Sequence, residues 1–378
     1  MKKRIVFVNQ SSGYLMIDII NAFEKKYDER VIIVGNIRSR SRKLDETVRI
    51  HKVKAYNNAT KLKRLITWSI AFIQMLFLII IRYRDADLFL VTNPPFTAFI
   101  PLFCKNPFSI LVYDIYPNAI AASGLLKMES FPVRLWTKVN KNVFKRAKKI
   151  FTISDGMKKE IKAYADESKI EVIPLWIDDE KVMPINKRNN VFIKEQKLQE
   201  KFVVLYSGNL GFTHDVEVVI DIAERFIDYN EIYFLIIGKG EKRDMLESRI
   251  KNKKLKNCRL LPWQSAEMLP YTISSADIAV VTLSSFASTL SVPSKTFNYL
   301  SVGAPLLCVA EKSSELATLV NRYKVGHCFR RDEVDDMVKY IMEVKNDPVY
   351  YRRLQRNALD ASKEFVKINA IRFSDALS

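Results

Sequence analysis

The feature that most constrains this chain is a series of short, nearly continuous apolar runs separated by helix-length stretches. IVFV (5–8), VIIV (31–34), LFLV (88–91), ILVY (110–113) and IFTI (150–153) form a first set. FVVLY (202–206), YFLII (233–237), IAVV (278–281) and PLLCV (305–309) form a second. Their Val, Ile, Leu and Phe do not alternate with polar residues, the pattern of strands buried on both faces of a parallel sheet. Helical segments lie between them at 14–27, 132–149, 215–228, 241–251 and 294–302. The repetition predicts two doubly wound α/β domains, and 378 residues suit two domains of ordinary size. Periodicity is lost between the strand-like EVIPLW (171–176) and Lys201, in a polar stretch containing Pro184 that reads as the join. The last segment, 348–378, reads as one or two helices.

Charge is the unusual term. Sixty-one Lys and Arg against 42 Asp and Glu give +19, which predicts an anionic partner: nucleic acid, a phosphorylated substrate or an acidic membrane surface. Residues 1–180 carry 31 basic and 18 acidic side chains, net +13, whereas 181–378 carry 30 and 24, net +6. An apolar fraction of 48% excludes a disordered chain, and 10 Gly with 13 Pro exclude collagen-like and low-complexity classes. Cys104, Cys258, Cys308 and Cys328 form no C-x-x-C pair and no histidine clusters with them, which argues against a zinc site or disulfide framework. The apolar run in MKKRIVFVNQ is too short for a signal peptide and reads as a first strand.

Residues 65–81 (LITWSIAFIQMLFLIII) depart from the soluble pattern: 17 residues without a charge, flanked by Lys61, Lys63, Arg64, Arg82 and Arg84. At ~1.5 Å per residue they span about 26 Å, short of a ~30 Å bilayer core. Three readings stand: a spanning helix, a buried crossover helix, or a helix dipping into one leaflet, to which the basic flanks point. Segment 132–150 places Val133, Trp136, Val143, Ala147 and Ile150 on one face and seven basic residues over much of the rest. It is either a solvated surface helix or a membrane-facing one.

Gly-containing turns follow strands at 9–13 (NQSSG), 207–211 (SGNLG) and 238–240 (GKG). Such a turn exposes backbone N–H groups that suit phosphate. None completes G-x-G-x-x-G, and no P-loop motif occurs, which excludes those nucleotide-binding classes. Asp85-Ala86-Asp87 matches the D-x-D of metal-dependent sugar transferases, but it enters a strand from its N-terminal end, away from where parallel sheets bind ligands, and reads as structural. The most informative stretch is SVPSKTFNYLSVGAP (291–305). Pro293 suits a first helical turn, Ser294, Lys295 and Thr296 then surround that N-terminus, and Gly303 ends the helix. A lysine beside free N–H groups makes a diphosphate site, with an ordinary capped helix as the alternative.

These stretches resemble glycosyltransferase family 4, a group of GT-B fold, and within it the capsule and O-antigen sugar transferases such as L-fucosamine transferases. TISDGMKKEI (152–161), VIPLWIDDEKVMP (172–184), VLYSGNLGFTHDVEVVI (204–220), FLIIGKGEKRDMLE (234–247), NCRLLPWQSAEMLPYTISSADIAVVTL (257–283) and VPSKTFNYLSVGAP (292–305) follow the family's order and spacing. The resemblance implies two Rossmann-like domains facing across a cleft. Residues 1–180 would bind the acceptor, 181–350 the nucleotide sugar, and helices in 351–378 would pack back toward the first domain. It also implies transfer with retention from a nucleotide sugar, UDP-linked, without metal or other cofactor.

Carried over by position, Gly208, Asn209 and Gly211 approach the diphosphate, Gly238 and Gly240 border the nucleoside, and Trp263 and Gln264 border the base. Segment 289–295, with Pro293 and Ser294, cradles the donor sugar and phosphates. The chain departs from the wider family at two places. The family's two glutamates fall on Leu290 and Asn298, and its arginine and lysine fall on Asn209 and His214. Asn298 would then bond the ribose hydroxyls and Lys295 would supply the missing cation. Asp114, in YDIYPNAI, resembles the branch's Asp-x-x-Pro and is placed to take a proton from the acceptor hydroxyl or bond it, with a turn cap as the alternative. Ser12 and Gly13 are placed to hold an acceptor phosphate.

The function expected is a retaining glycosyltransferase extending a polyprenyl-diphosphate-linked saccharide for surface polysaccharide. It would work as a peripheral or monotopic protein on an anionic membrane surface, at the cytoplasmic face of the inner or plasma membrane. A UDP-sugar 2-epimerase of GT-B architecture is the alternative. A nucleic-acid-binding protein is remote, because the basic residues lie beside apolar helices rather than among exposed aromatics.

Overall fold

The computed structural model describes residues 2–38, 42–57, 59–118, 127, 129–177, 182–211, 214–283 and 292–377. The chain divides into two compact units, Met1–Asp178 with Val366–Ser378, and Asp179–Phe365. The join expected at 180 falls in 178–181, outside the described residues.

Among the described residues the first unit holds seven parallel strands, β1 (Arg4–Val8), β3 (Glu29–Val34), β5 (Arg49–Lys52), β6 (Asp87–Val91), β7 (Phe108–Val112), β8 (Ile150–Thr152) and β9 (Ile170–Val172). Their order is β5-β3-β1-β6-β7-β8-β9, and β2 (Ser11–Ser12) pairs with β4 (Asn36–Ile37) in a separate short ladder. The five expected strands are all present; EVIPLW is a strand only as far as Val172.

Period-two alternation divides each run between two cores. Ile5, Phe7, Ile32, Phe89 and Phe151 face the helix Tyr14–Ala22 and Phe373, whereas Val6, Val8, Ile33, Leu90 and Ile110 face the helices Lys61–Arg82 and Phe131–Arg146. An apolar run without alternation is thus what a strand covered on both sides requires.

The segment 65–81 lies within the helix Lys61–Arg82, capped by Thr60, whose hydroxyl accepts the Lys63 N–H at 3.1 Å. It is the crossover between β5 and β6 and buries Thr67, Ala71, Met75 and Ile79, one residue per turn. It is long and apolar enough to cross a membrane by length and composition alone. Its buried stripe packs on the first unit's sheet, as a crossover helix between parallel strands does. The opposite face is apolar and exposed.

Asp85 and Asp87 are engaged structurally. Arg4 holds Asp85 through both carboxylate oxygens at 2.8 Å, and Asp87 accepts from Tyr27 at 2.9 Å and Lys148 at 2.7 Å.

The second unit's sheet, among the described residues, has the order β12-β11-β10-β13-β14-β15. Its parallel strands are β10 (Phe202–Asn209), β11 (Ile232–Lys239), β12 (Cys258–Leu261), β13 (Ile278–Thr282), β14 (Leu306–Val309) and β15 (Gly326–Phe329). Val204, Tyr206, Phe234, Ile236 and Val280 pack against the helices Glu217–Arg225 and Val334–Asn346. The C-terminal segment is shared between the units. The helix Pro348–Ser362 joins the second unit's core through Leu354, and the helix Asn369–Asp375 places Phe373 in the first.

Candidate functional site

Open parallel sheets bind ligands beyond their strands' C-terminal ends, where the strand order reverses. In the second unit the reversal falls between β10 and β13, and in the first between β1 and β6.

At the second unit's reversal lies Lys295, first residue of the helix Lys295–Ser301. Its ammonium is buried, has no hydrogen-bond partner among the described residues and sits 3.8 Å from the centre of the Tyr206 ring. Burial lowers its pKa to about 7. Gly208 leaves room for it: a Cβ there would stand 2.9 Å from the ammonium nitrogen. The helix start differs from expectation. Ser294 makes no side-chain cap, and the N–H groups of Thr296 and Phe297 bond the carbonyls of Pro293 and Ser294 at 2.9 and 3.2 Å. Those two amides are therefore engaged within the turn, and the lysine ammonium is a donor without a partner among the described residues. Asn298, half-buried, follows on the same helix, and its carbonyl accepts from the Ser301 hydroxyl. Residues 289–291, including Leu290's neighbours in the expected cradle, lie outside the described residues.

The turn after β10 is held from below. The Tyr206 hydroxyl donates to the Asn209 carbonyl at 2.7 Å, and the Ser207 N–H donates to the Tyr299 hydroxyl at 2.8 Å. Two glycines here have a packing reason. A Cβ on Gly238 would stand 2.1 Å from the Gly208 carbonyl oxygen, and one on Gly240, at φ +151°, would stand 2.6 Å from the Leu210 backbone. A Cβ on Gly211 would meet the Asn209 amide nitrogen at 2.8 Å. His214 bonds the Thr282 carbonyl through Nδ1 at 2.8 Å, and burial and then Lys295 lower its pKa. Trp263, 54% exposed after β12, has the Lys239 ammonium 5.9 Å from its ring, while Gln264 bonds the Pro262 carbonyl.

In the first unit a small cavity of about 120 Å³ opens at the reversal, lined by Asn9, Ser11, Gly13, Tyr14, Asn93 and Tyr113 among others. Gly13 precedes the helix Tyr14–Ala22 with no side-chain cap, and a Cβ on it would touch nothing within 4 Å. Ser12 does not line this cavity; its hydroxyl is buried without a partner among the described residues, and Ser11 takes the lining position. Asp114 follows β7 with its backbone N–H on the Thr92 hydroxyl at 3.4 Å. Its carboxyl makes no hydrogen bond among the described residues, so it is not the turn cap weighed above, and desolvation by its neighbours raises its pKa.

The sequence reading missed Tyr206, which is indistinguishable from core in FVVLY, and Lys239, a lone charge after an apolar run.

Residues 187–360 match the family model for glycosyl transferases group 1. The chain is similar to WbjE of Pseudomonas aeruginosa, described as a glycosyltransferase, at 24% identity over 60% of this chain and 56% of WbjE. It is similar at 31% identity to WcaI of Escherichia coli strain K12, described as a colanic acid biosynthesis glycosyl transferase, over 38% of this chain and 35% of WcaI. The alignments thus span about half or less of these relatives' length. Among solved structures, HepE of Anabaena in complex with UDP superposes with a TM-score of 0.73 at 16% identity, covering 99% of both chains. WaaG, a glycosyltransferase involved in lipopolysaccharide biosynthesis, gives 0.68 at 11% identity over 98% of both. These likenesses establish the fold as the GT-B type of glycosyltransferases and bear out the resemblance read from the sequence blocks.

Proposed function

We propose that the chain is a retaining glycosyltransferase that moves a hexosyl or N-acetylhexosaminyl group from a UDP-sugar to a saccharide carried on a polyprenyl diphosphate. The product would enter surface polysaccharide, and the enzyme would work at the cytoplasmic face of the membrane. The observation that carries this reading is the buried Lys295 ammonium, without a partner among the described residues, at the strand-order reversal of the second unit. A cation held there without a counter-charge is suited to an anion that arrives as substrate. UDP is favoured as the donor's nucleotide because HepE was solved with UDP and with UDP-glucose.

As the donor bond breaks, negative charge grows on the departing diphosphate. Lys295 opposes it in a partly dry site, with Gly208 allowing close approach of the backbone, and no metal is called upon. Trp263 offers a face to the base and Asn298 a hydrogen-bonding group to the ribose. In the first unit, Asp114 would bond or deprotonate the acceptor hydroxyl, and the cavity at Gly13 would take an acceptor phosphate. Incubation with UDP-sugars and a polyprenyl-diphosphate-linked saccharide is expected to extend the lipid-linked product with the anomeric configuration kept. Hydrolysis or epimerisation of the donor in the acceptor's absence, with no extension in its presence, would refute transfer.

A further inference from the structure

The first unit presents a large apolar face that no described residue covers. On the helix Lys61–Arg82, Ile66, Ile70, Ile73, Phe77 and Ile81 are 38–64% exposed, opposite the buried stripe. Leu102 and Phe103, at the end of the 3₁₀ segment Pro95–Leu102, are exposed as well, as are Phe131 and Leu135 of the helix Phe131–Arg146. Ring contacts fasten the three elements together, Phe72 to Phe103 at 6.1 Å, Phe72 to Phe96 at 6.5 Å and Phe96 to Trp136 at 6.2 Å. Stretches 61–82, 95–107 and 131–146 contain no acidic residue and 10 Lys and Arg.

We propose that this surface docks on the anionic leaflet of a lipid bilayer, with the helix Lys61–Arg82 lying along the interface and its outer face in the acyl boundary. The surface deepens the membrane reading above, on which its biological sense rests. Apolar side chains gathered on one helix face, beside Lys and Arg, match a leaflet whose hydrocarbon begins just beneath anionic headgroups. Charge decides against a second copy of the chain, since a symmetric pair would bring two basic surfaces together.

The test uses the full chain, with vesicles of phosphatidylcholine alone or mixed with phosphatidylglycerol, and reads the pelleted fraction. Wild type is expected to pellet with the mixed vesicles and far less with phosphatidylcholine. Ile73→Ser/Phe77→Ser is expected to weaken binding at least about tenfold while its circular dichroism stays native. Phe103→Ser/Phe131→Ser, on the other two elements, is a second arm should the first fail to fold. Lys138→Gln/Lys141→Gln is expected to reduce the preference for phosphatidylglycerol. Wild type left in the supernatant with both vesicle types overturns the proposal. So does binding unchanged in both apolar variants, or a dimer in sedimentation velocity that those variants dissolve while vesicles stay unbound. No sugar is present, so vesicle binding without affinity for UDP would keep the surface and discard the transfer reading, and the reverse result would do the opposite.

Discussion

The Lys295 ammonium and the Tyr206 ring form a buried pair 3.8 Å apart that contains a cation and no anion. An aromatic face returns roughly 0.5–2 kcal/mol to such a cation, less than desolvation takes from it. The pair therefore weakens the empty protein, and an arriving diphosphate, as proposed above, would balance it.

Replacing the lysine should make the protein more stable and less active. Its pKa is about 7 in the folded chain against 10.5 as the ordinary value. The unfolded chain then binds more protons between those values, so stability rises with pH across that window and is lowest at and below its foot. Lys295→Met is expected to melt higher than wild type at pH 7, by roughly a few kcal/mol of stability, with the advantage shrinking toward pH 10. It should also lose the thermal shift given by UDP and ~10²–10³ in transfer rate. Scanning fluorimetry with and without UDP reads both; a variant that melts lower at pH 7 and still responds to UDP would contradict the assignment.

The same titration limits activity in alkali. If the ammonium is the working form, kcat/KM should fall as pH rises past about 7. A bound diphosphate stabilises the charged form, so the corresponding fall in kcat should come at higher pH. Coincident limbs in both profiles would separate Lys295 from the diphosphate.

Asp114 should govern the acid side. Desolvation by its neighbours raises its carboxyl from the ordinary value, so activity that needs the carboxylate is lost at a higher pH than for a free aspartate. Asp114→Asn is expected to slow transfer and remove that limb, with UDP binding retained in calorimetry. Loss of UDP binding would point to misfolding instead.

Two glycine substitutions should have opposite signatures. Gly208→Ala pushes on the mobile end of Lys295 and is expected to weaken UDP binding with little change in melting. Gly240→Ala adds a side chain at φ +151° against the Leu210 backbone and is expected to lower the melting temperature first. Equal effects on melting would mean that Gly208 is also only a packing residue.

The fold was legible because its strands are buried on both faces, which writes them as uninterrupted Val, Ile, Leu and Phe. The strands that escaped lack that signature: RIHK in β5, CRLL in β12 and GHCF in β15 carry polar residues, and the latter two form the sheet's edges. Lys295 was legible as a candidate from its place after Pro293, but its burial depends on Tyr206 and Gly208, nearly ninety residues upstream. The inward turn of Ser12 was illegible for a smaller reason. A two-residue ladder with Ile37 turns its side chain inward and Ser11 outward, and a one-residue shift of that kind leaves no trace in composition.

Phe373 sits among Phe89, Phe151 and Trp176, with ring centres 6.1, 4.9 and 6.3 Å away, although the whole second unit separates it from them in sequence. In synthesis Phe373 therefore follows every residue of the second unit, so the first unit's core receives that ring last. Until then the first sheet waits with one side partly uncovered, at a stage when its apolar outer helix is already made.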